Sequence, residues 1–345
     1  MKRFIGIDLH KNRFTVCYRD EDGSEELREY AMSQIAEFKK TLHSEDEIGL
    51  EATGNSSYFR DAVKDLVSAV RVVNPSQFKV ISSSAKKTDK QDAALLALYL
   101  SKGLFPEVRV MDSERARLKS LLGTRDKLTK LRTALKNKIH NLLNAHGIVT
   151  NRESLSNRKG LEKVLKHELD DLSRFELRIL VDQINHLNEG IAKINQELKN
   201  PDNHLPGHEN LTSIKGIGDV SASVLLSVIG DVNDFPDAKK LSAYFGIVPR
   251  VHQSNEVEHH GRITKRGSKI GRTTLVQCTL IAIKYNSYLR RYYDRLKAKK
   301  GSGKAIIATS RKLLGIIYDT LKDDIIWEDF PNGVIQSSRS SCYSS

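Results

Sequence analysis

Four carboxylates stand in this chain where their neighbours give no structural reason for one: Asp8, Glu51, Asp89 and Asp92. Asp8 ends the apolar run Phe4-Ile5-Gly6-Ile7, and Glu51 ends Ile48-Gly49-Leu50. Asp89 and Asp92 lie three apart in Lys86-Lys87-Thr88-Asp89-Lys90-Gln91-Asp92, at the start of a helical pattern. Residues at i and i+3 share a helix face, so two strand ends and one helix face can bring four carboxylates to one point. Such a cluster repels itself unless divalent cations fill it, and hard oxygen ligands suit Mg²⁺ or Mn²⁺. Two cations about 4 Å apart, bridging one phosphate, would stabilise the attacking and leaving oxygens of a phosphoryl transfer. Each acid alone reads as an ordinary solvated residue; the combination is what points to a metal site.

The elements that must position these acids follow from the hydrophobic pattern. Phe4–Asp8 reads as a strand with hairpin neighbours Phe14–Tyr18 and Leu27–Ala31, joined through Asp20-Glu21-Asp22-Gly23. Ile35–Leu42 has helical spacing, Ile48–Glu51 returns to strand, Tyr58–Val67 is helical, and Val70–Val73 is a short strand stopped by Asn74-Pro75. A helix from about Thr88 to Leu100 completes a mixed sheet covered by helices. From Ser113 to about His146 leucine and isoleucine recur mostly at three and four, and Phe175–Leu198 repeats the pattern. The pair reads as an antiparallel hairpin or coiled coil, long enough for an arm or dimer contact, or equally as a local helical core. The segment Asn151–Lys166 between them reads as a polar, irregular linker. The predicted organisation is therefore α/β followed by α: a catalytic domain over 1–110, a helical arm over 111–204, a mostly helical domain over 205–330 and a disordered Ser-rich tail over 331–345.

Charge narrows the function. The 345 residues carry 56 Lys and Arg against 43 Asp and Glu, a net +13. Residues 262–304 hold 13 basic residues and only Asp294 as an acid, and 113–140 hold nine basic residues against two acids. Patches of this size fit a polyanion, and beside a metal site nucleic acid leads over a merely solvated surface. No apolar run is long enough for a transmembrane helix, which argues against a membrane partner. Cys17, Cys278 and Cys342 have no metal-ligand spacing, and a reducing cytoplasm is the simplest compartment.

Two C-terminal stretches look like nucleic-acid elements. Ile214-Lys215-Gly216-Ile217-Gly218-Asp219 has the Gly-x-Gly turn of a helix-hairpin-helix, whose second helix offers N–H groups to a phosphate; an ordinary packed helical turn is the alternative. Further on, Phe245–Pro249 leads to Gln253-Ser254-Asn255 and then Gly261-Arg262-Ile263-Thr264-Lys265-Arg266-Gly267. Arg262, Lys265, Arg266, Lys269 and Arg272 would surround a DNA backbone, and Arg125, Lys127, Arg132, Lys136 and Lys138 on the long helix are further candidates for nucleic-acid contact.

With these residues laid out, the chain resembles the DEDD transposases of insertion sequences, the insertion-sequence one-ten family with the Piv-type DNA invertases. Phe4–Asp8, Leu50–Gly54 and Lys87–Ala93 carry the N-terminal half of the resemblance, and Ile214–Gly218, Phe245–Pro249 and Gly261–Gly267 the C-terminal half. The resemblance implies a ribonuclease-H-like, RuvC-like N-terminal fold whose Asp8, Glu51, Asp89 and Asp92 bind two Mg²⁺ or Mn²⁺ ions. It implies a serine nucleophile that attaches covalently to DNA, at Ser254 by position, although Gln253-Ser254-Asn255 stands where many relatives carry serine-serine-glycine. It also implies element ends and target DNA as partners, a guide (bridge) RNA, a homodimer or homotetramer, and a bacterial or archaeal cytoplasm at the nucleoid. The competing readings are a RuvC-like junction resolvase or nuclease that uses water and drops Ser254, and a non-catalytic nucleic-acid-binding protein.

Overall fold

A computed structural model describes residues 2–73, 88–105, 113–254, 257–330 and 334–336, with the side chains at 113, 152, 251–254, 257–260, 329 and 334–336 left outside that description. The chain forms two compact units, Met1–Ser113 and Glu114–Ser345.

The first unit contains β1 (Arg3–Leu9), β2 (Arg13–Asp20), β3 (Glu25–Ala31), α1 (Ile35–Lys39), β4 (Glu47–Glu51), α2 (Ser56–Val63), β5 (Ala69–Val73) and α3 (Asp89–Ser101). Its sheet runs β3-β2-β1-β4-β5. β1, β2 and β3 form an antiparallel meander, and β4 and β5 continue parallel to β1. The mixed sheet read from the hydrophobic pattern is present, although α2 begins earlier than expected and stops at Val63.

Alternation along β1 sorts its side chains onto two faces. Ile5, Ile7 and Leu9 enter a core with Phe14, Phe38, Ile48, Leu50, Phe59 and Val63. The opposite face is made of small residues. A Cβ at Gly6 would lie 2.0 Å from the Ala93 carbonyl oxygen and 2.4 Å from the Ala97 nitrogen of α3. Gly49, paired with Gly6 in the β1–β4 register, faces Phe105 and Leu100. Cys17, paired with Gly6 across β2, packs on Ala93 and Ala97. Helix α3 therefore lies almost on the sheet backbone, with its first turn toward the ends of β1 and β4 that carry the acids.

The second unit contains α4 (Ser113–Ala145), α5 (Arg158–Val164), α6 (Asp171–Glu197), α7 (His208–Ser213), α8 (Asp219–Ile229), α9 (Ala238–Tyr244), β6 (Pro249–Ser254), β7 (Val257–Ile263), α10 (Lys269–Tyr285), α11 (Ser287–Lys322, broken at Gly301), β8 (Ile326–Asp329) and β9 (Val334–Gln336). Helices α4 and α6 run antiparallel. Arg125 Nε donates to Asn195 Oδ1 (2.6 Å), Arg132 Nη1 to Asn188 Oδ1 (2.9 Å), and Lys138 Nζ lies 3.0 Å from Glu176 Oε1. Leu118 and Leu122 of α4 belong to the core of α7–α11, together with Leu211, Leu225, Leu275 and Leu313.

The expected irregular linker over Asn151–Lys166 is corrected by α5. Asn157 Oδ1 caps it by accepting from the Gly160 N–H (2.8 Å), and Leu155, Leu161 and Val164 are buried against Ile139, Leu143, Leu177 and Val181. A seven-residue helix is too short for its periodicity to stand out in a polar stretch. Within the expected mostly helical domain, β6 and β7 form an antiparallel hairpin. Val334–Gln336, inside the expected tail, pairs with β8; the rest of the tail lies outside the described residues. Among the described residues no helix is long and apolar enough to cross a membrane.

Candidate functional site

Asp8 is the penultimate residue of β1, on the Gly6 face, and is only 8 % exposed. Glu51 closes β4, one residue beyond the Leu50 that pairs with Ile7, so its backbone is level with that of Asp8. Asp89 and Asp92 occupy the first turn of α3, which Thr88 caps by accepting from the Gln91 N–H (3.3 Å). Two acids in that turn also suit the positive end of the helix dipole, so the helix accepts them at no cost.

The close seating of α3 brings Asp89 to Asp8, 81 positions earlier, and a third residue joins them. His10 Nε2 lies 3.1 Å from Asp8 Oδ2 and 3.3 Å from Asp89 Oδ1. One ligand atom from each of Asp8, His10 and Asp89 falls within 4.8 Å of the other two. Arg13 holds the far oxygen of Asp89, with Nη2 2.9 Å from Oδ2, and its Nη1 lies 3.4 Å from Glu29 Oε1.

The electrostatics are those of crowded carboxylates. Burial, chiefly, pushes the Asp8 carboxyl above its ordinary range; Asp89 and Asp92 add to that push while His10 opposes it. For Asp89 burial also pushes upward, but His10 and Arg13 outweigh it and hold the group below the ordinary range. Two carboxylate oxygens and an imidazole nitrogen within 4.8 Å, with Asp92 near enough to act on Asp8, form a donor set that fits a divalent cation. His10 and Arg13 were not among the residues read from sequence as site candidates. The signal available for His10 was its place two residues after Asp8, the spacing that returns a strand to the same face.

The other predicted residues are placed as follows. Gly216 sits between α7 and α8 with φ +116°, and a Cβ there would lie 2.8 Å from the Ala282 nitrogen of α10. Gly218 is the N-cap residue of α8 and its Cβ position is open. Arg262, Lys265, Arg266 and Lys269 are exposed around the end of β7 and the start of α10. Arg272 turns back, its Nη1 donating to the Gly267 (2.8 Å) and Phe245 (3.3 Å) carbonyls, so it braces the loop. On α4, Arg125, Arg132 and Lys138 are tied to α6, while Lys127 is exposed. Burial, followed by the neighbouring Arg132, holds Arg125 and Lys136 below their ordinary ranges. Ser254 ends β6 with Val257 as its ladder partner; its side chain, and Asn255 altogether, lie outside the described residues.

Comparison with known proteins gives a consistent result. A DEDD transposase model of the IS110 type, described as "Transposase", matches residues 5–148, the span that contains all four acids. A second, described as "Transposase IS116/IS110/IS902 family", matches 208–294, which contains the Gly216–Gly218 turn, Ser254 and the basic loop. The transposase for insertion sequence element IS1111A of Coxiella burnetii is 27% identical, over 92% of this chain and 89% of its own length. A probable family 20 transposase of Pseudomonas aeruginosa is 29% identical over 79% of this chain and 81% of its own. The pilin gene-inverting protein of Moraxella lacunata is 28% identical over 94% and 97%.

Proposed function

Because the chain belongs to the IS110/IS116 family of transposases, we propose that it cuts and rejoins DNA through a carboxylate-held pair of divalent cations and a serine nucleophile. The observation that carries the metal half is the meeting of Asp8 and Asp89 around His10, where α3 crosses the end of β1. The strand order β3-β2-β1-β4-β5, with an acid at the end of β1 and another at the end of β4, supports a ribonuclease-H-like, RuvC-like reading of the first unit.

In this reading Asp8, Glu51, Asp89 and Asp92 hold Mg²⁺ or Mn²⁺. When bound, the ions supply Lewis-acid stabilisation of the charge that develops on a phosphate. The chain's own contribution is position. Gly6 seats α3, Thr88 fixes its first turn, and Arg13 occupies one oxygen of Asp89 while the other faces His10. Ser254 at the tip of the β6–β7 hairpin is the proposed nucleophile, attaching to one DNA strand as the leaving strand departs. The exposed Arg262, Lys265, Arg266 and Lys269 are proposed to bind the DNA backbone. A guide RNA, with Lys127 among its contacts, and a dimeric or tetrameric assembly complete the proposal.

The test is strand exchange on supercoiled plasmids that carry the element ends. Asp8→Asn and Asp89→Asn should abolish it, and Ser254→Ala should abolish a protein–DNA adduct seen on denaturing gels. Full exchange by the Asp8→Asn protein would refute the metal half. Cleavage without any adduct, unaffected by Ser254→Ala, would replace the serine with water as the nucleophile.

A further inference from the structure

The acids account for the charge of the site but not for His10, which sits between Asp8 and Asp89. Its Nε2 stands between one oxygen of Asp8 and one of Asp89, at 3.1 and 3.3 Å. Neighbouring ligands around a hexacoordinate cation with bonds of about 2.1 Å are about 3.0 Å apart. The two separations made by Nε2 are thus close to those between neighbouring ligands on such an ion, and the third atom pair lies within 4.8 Å.

His10 is also held in place by its backbone. Its N–H donates to the Arg13 carbonyl (3.0 Å), closing the turn between β1 and β2. Its carbonyl accepts from Asn55 Nδ2 (3.0 Å), and Asn55 Oδ1 in turn accepts from Thr53 Oγ1 (2.9 Å). The loop that follows Glu51 therefore anchors the residue that approaches Asp8. Arg13 completes the arrangement by engaging Asp89 Oδ2, which leaves Oδ1 toward His10. Outer contacts of this kind orient metal ligands. The pair is half-buried, with Asp8 almost covered, so His10 approaches the carboxylates from the solvent side while its backbone is fixed from below.

We propose that His10 is a ligand of the cation site, adding an imidazole nitrogen to the carboxylates of Asp8 and Asp89. This inference rests on the reading that those acids hold a divalent cation. A nitrogen donor strengthens binding of Mn²⁺ and later transition metals relative to Mg²⁺, which favours oxygen. The site is therefore expected to discriminate between these ions more sharply than carboxylates alone.

The experiment uses full-length protein loaded with Mn²⁺ alone and read by pulsed electron paramagnetic resonance, with calorimetric titration of Mn²⁺ and of Mg²⁺. A ¹⁴N coupling of imidazole type is expected in the wild type and is expected to vanish in His10→Gln. Mn²⁺ affinity should fall on the order of tenfold or more in that variant, and Mg²⁺ affinity by much less. Where His10→Gln fails to fold, wild-type protein grown on ¹⁵N-histidine gives the readout, since the coupling must change isotope. Mn²⁺ that binds in an Asp8-dependent manner with no nitrogen coupling overturns the assignment of His10 and leaves the acids standing. Absence of Asp8-dependent Mn²⁺ binding overturns both.

Discussion

Replacing Gly6 by alanine tests whether the site depends on how closely α3 lies on the sheet. The added Cβ would stand 2.0 Å from the Ala93 oxygen and 2.4 Å from the Ala97 nitrogen, both backbone atoms that cannot rotate away. Packed carbons settle about 3.5 Å from their neighbours, so α3 must retreat by roughly 1.5 Å. Overpacking of this kind costs about 1–3 kcal/mol, against a gain of about 0.5–1 kcal/mol for removing a glycine from a strand. For a unit of this size the net loss lowers Tm by roughly 5–10 °C. Activity should suffer more than stability, because a misplacement of about 1 Å can cost about 100-fold in rate. Cys17 supplies a local readout. It is fully buried against Ala93 and Ala97, and its thiol is pushed up to about 12, chiefly by burial. In the native protein it should resist alkylation, and in Gly6→Ala it should label faster, as mass spectrometry of the Cys17 peptide would show. A variant that melts at or above the wild-type temperature, keeps Cys17 protected and retains strand cleavage would refute the reasoning.

Two further substitutions bear on the second unit. Gly216→Ala combines a φ of +116° with a contact of 2.8 Å to the Ala282 backbone, whereas Gly218 has open space at its Cβ; thermal melts should show a clear loss for the first, of about 1 kcal/mol or more, and nearly none for the second. Leu161→Ala should cost about 2–5 kcal/mol in guanidinium unfolding, because Leu161 is buried against Ile139 and Leu177; a change under about 0.5 kcal/mol would return this segment to the surface linker that its composition suggests.

Much of the first unit was legible because its signals are local. β1 and β2 place core residues at alternate positions, and Asp8 and Glu51 end runs that are otherwise apolar. What escaped depends on pairs of residues far apart in the chain. Gly6 looks like any glycine in a strand until Ala93 and Ala97 are placed above it. His10 looks like a loop residue until Asp89 arrives from α3. The basic residues of 113–140 also have partners that charge does not reveal: Arg125 and Arg132 each donate from one nitrogen to an asparagine of α6. In the linker, Asn157 and Leu161 carry a cap and a core position, but a helix of seven residues offers no repeat to recognise.

The order in which the chain emerges during synthesis gives the seating of α3 a further consequence. Asp8 and His10 are made well before Asp89, and the meander around them can form as soon as β2 and β3 follow. Asp89 arrives only with α3, after the rest of the sheet. A nascent chain, or a product truncated before Asp89, can therefore hold the strand end with Asp8 and His10 but not the cluster. The cluster comes into being when a single helix closes on Gly6, so its appearance marks the completion of the sheet and its covering helix.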